Sequence, residues 1–444
     1  MFATRGRSLA MRRGRQKQIS PIRVGLFGLF GNGNSGNDGS LEAMLDFLRR
    51  ARPDAELTCI CACIPGAPER VAADFRLAAI PLALPKPTSG LLRILDTLSL
   101  KGPRQLASLL RAIRCARSLD VLIAPGTGML DDFTDRPTGM PLALFGWCLA
   151  ARLCGTRVAF VSVGAGPIQH PISRWLIKSA AAMAHYRSYR DTESKAFMEG
   201  IGFDTQNDEV YPDIVFKLAV PPLPRRQHTE GKPLTIGVGV MAYQGWRDAD
   251  ARGASIYAAY LEKITAFVLW LVDRGHSVRL LMGQAADKRV VDDVLTRVRV
   301  AQPDLSPDRL LTDPSHSLHS LMKQIAETDV VVATRFHNVV CALKLGKPTI
   351  SIGYGQKHDA LMAEMGLGSF RQHIEHLEFD LLVEQFTQLI ADRQRYEHSI
   401  RDTTVSYQNR LERQDFLLAS TLLPAAQFGR RISATPLRLM DSDL

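Results

Sequence analysis

The feature that most constrains this fold is a pair of buried strands flanking a short helix, at residues 330–354. The apolar run Val330–Ala333 has no polar interruption, which is typical of a parallel strand covered on both faces. The next segment predicts a helix that Thr334 opens as N-cap and that Gly346 and Pro348 end. A second apolar strand, TISIG, follows. Such a unit predicts a parallel sheet with right-handed crossovers.

The same alternation of strands and helices recurs along most of the chain and divides into two halves. It runs through residues 21–220 and restarts after PPLPRRQHTEGKP at 221–233, which has the proline and charge content of a linker. The second half covers residues 234–375, and helices follow at 376–422. We therefore predict an α/β fold with two Rossmann-like parallel-sheet domains that face each other across a cleft, the GT-B arrangement.

The net charge and the N-terminal sequence argue against a nucleic-acid-binding protein and against a secreted one. The 444-residue chain has a formal net charge of +10, and six positive charges lie in residues 1–20, which hold no acid. We expect this basic tail to be disordered, with the capacity to touch an anionic membrane. The remaining charge is too weak to indicate nucleic acid. The apolar stretch behind the tail is broken by glycine, so it predicts a first strand and not a signal peptide. Residues 423–444 are expected to be weakly structured.

The cysteines point to a reduced, cytoplasmic protein, and the basic tail would allow it to be peripheral to the inner face of the membrane. There are seven, an odd number, and only Cys59, Cys61 and Cys63 lie close together, alternating along one predicted strand. A metal site would more commonly show Cys-x-x-Cys or histidine partners. We expect no metal and no cofactor.

Polar residues follow the two strands of the 330–354 unit. Arg335 and His337 lie in the first turn of the predicted helix, at the carboxyl end of a strand. Open α/β sheets bind ligands there, and free N–H groups favour anions. Tyr354 and Lys357 follow the next strand, so Lys357 is expected to reach the same anion. Arg190, which ends a strand of the first half, is a further anion-binding candidate. Each arginine could instead be paired structurally with a neighbouring carboxylate.

Three glycine-rich turns of the first half follow buried strands and are expected to bring backbone close to the cleft. The first satisfies G-x-G-x-x-G with Gly31, Gly33 and Gly36, but no acid ends the second strand to bind a ribose, which disfavours a dinucleotide. Its polar side chains suit a hydroxylated or anionic ligand. The residues expected to contact such a ligand are Asn34, Asn37, Asp38, Gly126, Gly128, Gly164 and Gly166.

Taken in order, these motifs resemble the polysaccharide pyruvyl transferase family over roughly residues 22–370. One departure is Asn37, which stands where the family typically has aspartate directly after G-N-x-G, with Asp38 one place later. The family's R-L-H turn appears here as R-F-H. The motifs are G-N-x-G at 33–36, P-G-T-G-x-L at 125–130, G-x-G-P at 164–167, R-D-x-x-S at 190–194, R-x-H at 335–337 and Y-x-x-K at 354–357.

The resemblance implies transfer of pyruvate from phosphoenolpyruvate, the co-substrate, to two hydroxyls of a saccharide. The product would be a ketal in surface polysaccharide biosynthesis. The first domain would bind the acceptor, which could be lipid-linked, and the second the donor. Arg335, Lys357, Arg190 and Tyr354 would hold the donor, and His337 with Arg335 would carry catalysis. Two alternatives stay open: a nucleotide-sugar-dependent GT-B glycosyltransferase, and a non-catalytic glycan-binding member of the family.

The place of His337 creates a physical tension if it is the proton donor. A helix N-terminus disfavours the imidazolium, so the pKa of His337 is expected to be low in the empty enzyme. A bound dianion is expected to raise that pKa, so that the histidine becomes charged only when the donor is present.

Overall fold

The computed structural model describes residues 21–85, 102–132, 135–222, 233–245 and 252–423. Their strands form two parallel sheets, one in each half of the chain, so the predicted fold class is confirmed. The predicted basic tail, almost all of the predicted linker and almost all of the predicted C-terminal tail lie outside the described residues.

The first domain is a seven-stranded sheet with helices packed on it. Its strands are β1 (Arg23–Phe27), β2 (Glu56–Cys61), β3 (Ala78–Pro81), β4 (Val121–Pro125), β5 (Arg157–Val163), β6 (Tyr186–Tyr189) and β7 (Glu209–Val210). Its helices are α1 (Ser35–Ala51), α2 (Ala67–Phe75), α3 (Gly102–Ala116), α4 (Met140–Leu153), α5 (Pro171–Ala182) and α6 (Thr192–Gly200). The strand order is β3-β2-β1-β4-β5-β6-β7. The order reverses between β1 and β4, where open sheets form their ligand crevice.

The second domain is a six-stranded sheet of the same kind. Its strands are β8 (Thr235–Gly239), β9 (Ser277–Leu281), β10 (Leu310–Thr312), β11 (Val330–Ala333), β12 (Thr349–Gly353) and β13 (Arg371–His373). Its helices are α7 (Gly253–Asp273), α8 (Lys288–Ala301), α9 (Leu318–Ala326), α10 (Phe336–Lys344) and α11 (Gln356–Glu364). The strand order is β10-β9-β8-β11-β12-β13. The apolar strand β11 is wholly buried between β8 and β12, as its sequence predicts.

Helix α7 is long and apolar enough to cross a membrane, and within the described ranges it is the one helix that meets this test. Half of its apolar stretch is buried inside the protein. Ile264, Phe267, Val268 and Leu271 are fully buried there. The apolar character of α7 therefore reflects its packing in the core of the second domain.

Two further helices, α12 (Phe379–Ala391) and α13 (Arg393–Thr421), end the described chain. Helix α13 crosses from the second domain, where Thr404 donates to the carbonyl of Leu343, to the first domain. There Gln414 donates hydrogen bonds to Ser188 at 2.9 Å and to Ser162 at 3.1 Å. Ser162 adopts a left-handed φ of 49° where β5 shifts register against β6. Helix α13 thus supports the strand that leads to the third glycine-rich turn.

The start of α10 differs from the sequence prediction. Arg335, and not Thr334, occupies the N-cap position, and its side chain makes no capping hydrogen bond. The hydroxyl of Thr334 is buried and lies 3.0 Å from that of Tyr260. The predicted capping role of Thr334 is therefore wrong, because a buried partner from α7 holds its hydroxyl.

The last strand of the first domain is shorter than its sequence predicts. The segment EVYPDIV at 209–215 predicts one strand, but pairing stops after Glu209–Val210. Pro212 lacks the N–H that a continuing ladder needs. Asp213 then caps a 3-10 turn at Ile214–Lys217 by accepting the N–H of Val215 at 3.0 Å. The carboxylate of Asp213 is thereby fixed at the carboxyl edge of the sheet.

Candidate functional site

A cavity of about 660 Å³ lies between the two domains. Its walls come from the glycine-rich turns of the first domain and from the N-terminal ends of α10 and α11 in the second. Two of the predicted site residues, Asp38 and Gly126, are not among its lining residues. The predicted residues that line it are His337, Arg335, Lys357, Arg190, Tyr354, Asn34, Asn37, Gly128, Gly164 and Gly166.

Asp38 and Gly126 hold the shape of their turns. The carboxylate of Asp38 accepts the N–H of Gly31 at 2.8 Å, and burial raises the pKa of Asp38 to about 6. Gly126 has a left-handed φ of 55° and packs so closely on Ile214 that a β-carbon would lie 2.5 Å from it. In this structure both residues act on the loops and not on the cavity surface.

His337 stands at the start of α10 with its ring packed over Gly36 of the first domain. A β-carbon at Gly36 would lie 1.9 Å from Nδ1, 2.2 Å from Cε1 and 2.5 Å from Cγ, and so would stand over the ring face. Nε2 is buried and lies 3.8 Å from Oδ2 of Asp213. Burial, followed by the charges of Arg190 and Lys357, lowers the pKa of His337 to about 3. The sequence also predicts a lowered pKa for His337 from its place at a helix N-terminus, but in the structure burial is the main cause.

Asp213 is a candidate outside the set of site residues that the sequence predicts. Its Oδ2 is buried, lies 3.7 Å from Nη1 of Arg190 and makes no hydrogen bond to any described residue. Burial raises the pKa of Asp213, although the positive charge of Arg190 opposes the shift. The sequence signal that could have found it is Pro212, which ends a strand and places the next side chain at the ligand-binding edge.

Arg190 and Lys357 are the two cations whose charges help to lower the pKa of His337. Arg190 makes loose ion pairs, at 3.5 Å to Asp191 and 3.7 Å to Asp213. Its guanidinium carbon lies 5.2 Å from the ring centroid of Phe336, and Nζ of Lys357 lies 5.3 Å from the same centroid. Two cations therefore share one aromatic ring at the cavity wall. Loose pairing leaves their charge available to an incoming anion.

Arg335 is held tightly by Asp287, which is fully buried. Nε and Nη2 of Arg335 donate to the two carboxylate oxygens at 3.0 Å and 2.6 Å. Asp287 also accepts the N–H groups of Ala242 and Gln284, so it joins the loops that follow β8 and β9. The structural alternative considered for this arginine is thus realised. The charge of Arg335 is largely balanced before a ligand arrives.

Tyr354 lies beside Lys357, whose Nζ is 4.8 Å from the centroid of the tyrosine ring. Burial raises the pKa of Tyr354, but the charges of Lys357, Arg335 and Arg190 outweigh burial and lower it. Its ring stacks on Tyr243 with 6.2 Å between the centroids. A phenol in this position donates a stronger hydrogen bond than an ordinary tyrosine.

The first glycine-rich turn is held by its own asparagines. Oδ1 of Asn34 caps α1 by accepting the N–H of Gly36 at 3.0 Å, and the backbone of Asn34 bridges to Gln284 of the second domain. Nδ2 of Asn37 donates to the carbonyl of Leu29 at 3.3 Å. An ionised aspartate cannot donate this bond, so the departure at Asn37 has a local structural reason.

Asn338 is a second residue that the sequence analysis missed. It follows His337, lines the cavity and is fully buried. Neither Oδ1 nor Nδ2 of its amide has a hydrogen-bond partner within the described part of the chain. Buried amides are rarely left unpaired, so this one is suited to a ligand at the N-terminus of α10.

The two cavity walls differ in charge. The first domain contributes four acids, Asp131, Asp132, Asp191 and Glu193, whereas the described lining residues of the second domain include no carboxylate. Oδ2 of Asp132 is engaged by the N–H of Gln169 at 2.8 Å. Across the described ranges, no three His, Cys, Asp or Glu side chains gather so as to hold a metal ion.

Comparison with known proteins gives a family match and a fold match. A family model described as polysaccharide pyruvyl transferase matches residues 34–356. No curated protein matches the chain.

Several solved structures share the fold. Anabaena HepE in complex with UDP and glucose is 12% identical, with a TM-score of 0.55, covering 91% of this chain and 100% of that chain. The UDP-GlcNAc 2-epimerase from Neisseria meningitidis bound to UDP-GlcNAc is 12% identical, with a TM-score of 0.55 and coverage of 89% and 99%. The lipopolysaccharide outer core galactosyltransferase WaaB is 11% identical, with a TM-score of 0.54 and coverage of 90% and 99%. At such identities the likeness shows the GT-B fold alone.

Proposed function

Since this chain belongs to the polysaccharide pyruvyl transferase family, we propose that it moves pyruvate from phosphoenolpyruvate onto two hydroxyls of a saccharide, forming a ketal in surface polysaccharide biosynthesis. The observation that carries the proposal is the convergence of His337, Arg190 and Lys357 on one cavity between the domains. A general acid and two available cations are what a reaction of an anionic enol ester requires.

The donor carries a phosphate and a carboxylate, and the cavity offers groups for both. Arg190 and Lys357 supply charge-assisted hydrogen bonds, and the N-terminus of α10 adds free N–H groups. The unpaired amide of Asn338 lies at the same helix end. Arg335 can donate hydrogen bonds through the N–H groups that its pairing with Asp287 leaves over, and Tyr354 can donate one from its phenol hydroxyl.

His337 acts as the proton donor. Because Nε2 faces Asp213, Nδ1 is the nitrogen left to reach the substrate. Protonation of the methylene carbon makes it a methyl group and leaves a cation at C2, which the first hydroxyl attacks. Phosphate then leaves and the second hydroxyl attacks the same carbon. Of the two hydroxyl protons, one departs with phosphate and the other restores His337.

The empty site keeps His337 neutral, so the donor must charge it. A bound dianion offsets Arg190 and Lys357, whose charges help to lower the pKa of His337. Asp213 assists as a positioning residue, because its Oδ2 can accept a hydrogen bond from protonated Nε2. A shift of less than 1 Å between the domains closes the 3.8 Å gap to ordinary hydrogen-bond length.

The first-domain wall receives the acceptor. Asn34, Asn37 and the glycines of the second and third turns present polar groups and bare backbone to the cavity. The three-carbon donor fills a small part of about 660 Å³, which leaves room for a sugar beside it. The acids of this wall suit hydrogen bonds from sugar hydroxyls.

The nucleotide-sugar alternative is less well supported. Such an enzyme needs a carboxylate at the strand ends of the second domain to hold a ribose, and none lines the described cavity wall there. Asp287 is close in sequence to those ends but is fully buried and bound to Arg335. The glycan-binding alternative would rest on Asn37, which stands where the family typically has aspartate. It is weakened because the amide of Asn37 has a structural role in the turn.

The proposal is tested on the purified chain with phosphoenolpyruvate and a sugar-lipid extract. We expect phosphate release that depends on both substrates, and protection from heat by phosphoenolpyruvate but not by a panel of nucleotide sugars. Protection by a nucleotide sugar alone would favour a glycosyltransferase. Protection by phosphoenolpyruvate without phosphate release from any extract would favour the glycan-binding alternative.

A further inference from the structure

Three neighbouring helices of the first domain, α3, α4 and α5, contain no acidic residue. Acids make up 45 of the 444 residues, so helices of 15, 14 and 12 residues would carry about four at the average frequency. The same helices carry six cations, Arg104, Arg111, Arg114, Arg152, Arg174 and Lys178. These three helices therefore carry charge of one sign.

Large apolar side chains stand exposed among these cations. Leu106 and Leu110 on α3 are 58% and 54% exposed, and Ile172 and Trp175 on α5 are 55% and 60% exposed. The ring of Trp175 lies 5.4 Å from that of Phe145 on α4. Phe145 in turn lines an apolar pocket together with Leu106 of α3, so the apolar surface runs across all three helices. Exposed apolar surface of this extent, rimmed by charge, marks a binding face.

The face borders the mouth of the cavity. In a parallel sheet, each crossover helix begins at the carboxyl edge of the strands, where the cavity lies. Nε2 of Gln105, at the start of α3, donates to the carbonyl of Thr138 in the loop beyond β4. Gln169 lines the cavity and stands two residues before α5 begins. Ile172 and Trp175 lie in the first two turns of α5, and Leu106 and Leu110 lie in the second and third turns of α3.

We propose that this face, defined by Leu106, Leu110, Ile172 and Trp175 with the six cations around them, docks on an anionic lipid surface. Apolar side chains enter the headgroup boundary, tryptophan favours the interface, and arginine and lysine pair with anionic headgroups. The absence of any acid on the three helices removes the repulsion that such a surface would otherwise meet. The docked protein holds its cavity beside the membrane.

A nucleic acid would match the charge but not four exposed apolar side chains between the cations. The face is built from residues other than those of the basic tail at 1–20, which lies outside the described residues. The proposal does not depend on the transfer reaction, because membrane binding is measured without substrate.

The test is co-sedimentation of the full chain with vesicles of phosphatidylglycerol and phosphatidylcholine, compared with phosphatidylcholine alone. We expect binding to the anionic vesicles, about tenfold weaker for the double variant Leu106→Ser/Leu110→Ser and for Arg111→Glu/Arg114→Glu. Val300→Ser is the matched control, because Val300 is 77% exposed on α8 of the second domain. It should bind as the parent does, and equal loss in this control would contradict the assignment.

Fluorescence gives a second readout. Anionic vesicles should shift tryptophan emission to the blue, and Trp175→Phe should remove that shift while the melting temperature stays the same. The proposal fails when the chain does not bind anionic vesicles or when the face variants bind them as the parent does. It also fails when light scattering shows a dimer that dissociates in the face variants, because the face would then be the interface with a second copy of the chain.

Discussion

His337 of the second domain packs its imidazole against the α-carbon of Gly36 in the first domain. The glycine is needed for this contact, because a β-carbon would lie 1.9 Å from Nδ1. The first turn of α1, which contains Gly36, and the first turn of α10, which contains His337, therefore pack against each other through the imidazole ring and the glycine backbone. The orientation of the proposed proton donor depends on the domain opposite.

The first prediction concerns Gly36→Ala. The added methyl group must displace the imidazole, and a displacement of about 1 Å costs on the order of a hundredfold in turnover. Phosphate release measures the loss. Gly200→Ala is the control, since a β-carbon there meets nothing within 4 Å. Turnover of Gly36→Ala equal to that of the control would remove the contact from the mechanism.

The second prediction concerns His337→Gln. Removing the general acid should lower turnover by about 10²- to 10⁴-fold while donor binding survives. Donor binding is followed by heat protection with phosphoenolpyruvate, and turnover by phosphate release. His398→Gln, on an exposed turn of α13, should match the parent in both. Undiminished turnover of His337→Gln would rule out the proton-donor role.

The third prediction concerns Asp213→Asn. Without the carboxylate beside Nε2, the donor-bound imidazolium should be less stable and lose its proton at lower pH, so the alkaline limb of the rate profile should move down by about one to three pH units. The KM for phosphoenolpyruvate should change less than kcat does. Asp208→Asn is the control, because Asp208 is a buried carboxylate paired with Arg187 and is absent from the cavity lining. A pH profile identical to that of the parent would show that Asp213 is only a cap.

The fourth prediction is a dependence of stability on pH. The pKa of His337 falls from the usual 6.5 to about 3 on folding, so the unfolded chain binds the proton more readily between those values. The contribution of His337 to the free energy of unfolding is therefore fully present above pH ~6.5. Below that pH, the free energy of unfolding decreases by about 1.4 kcal/mol per pH unit. Burial lowers the pKa of His358 as well, which adds in the same direction.

Urea unfolding at pH 7 and pH 5 measures this dependence. His337→Gln should lose less stability than the parent between the two values, because one of the titrating groups is gone. An equal loss in both proteins would mean that His337 is protonated in the folded state at pH 5.

The fifth prediction concerns the pair Arg335 and Asp287. Asp287→Asn should lower the free energy of unfolding by about 3–5 kcal/mol, because it leaves the guanidinium of Arg335, whose side chain is only 16% exposed, without its carboxylate. Asp292→Asn removes an exposed carboxylate paired with Lys288 one helical turn away and should change it by less than about 0.5 kcal/mol. Similar losses in the two variants would show that the pair adds little.

Both sheets were predictable from the sequence because buried parallel strands leave continuous apolar runs such as Val330–Ala333. Helix α11 and strand β13 were not predicted. The segment QKHDALMAE of α11 has no long apolar stripe, and Arg371–His373 is a short polar strand at the sheet edge. Elements that are stabilised mainly by packing against their neighbours show little apolar periodicity in the sequence.

The site was predictable in its position but not in its pairings. Glycine turns and polar residues at strand ends indicate a common edge, because parallel strands end together. The bond between Arg335 and Asp287 joins residues 48 positions apart, and Asp213 meets His337 only because two domains face each other. Such contacts depend on the tertiary arrangement, which local patterns do not encode.

The return of α13 to the first domain has a consequence for synthesis on the ribosome. Ser162 and Gln414 are separated by 252 positions, so the strand that holds Ser162 in its left-handed conformation emerges long before its hydrogen-bond partner exists. Domains generally fold in the order in which they are made. Here the domain made first is completed last, and a nascent chain that stalls before α13 leaves the underside of β5 and β6 uncovered.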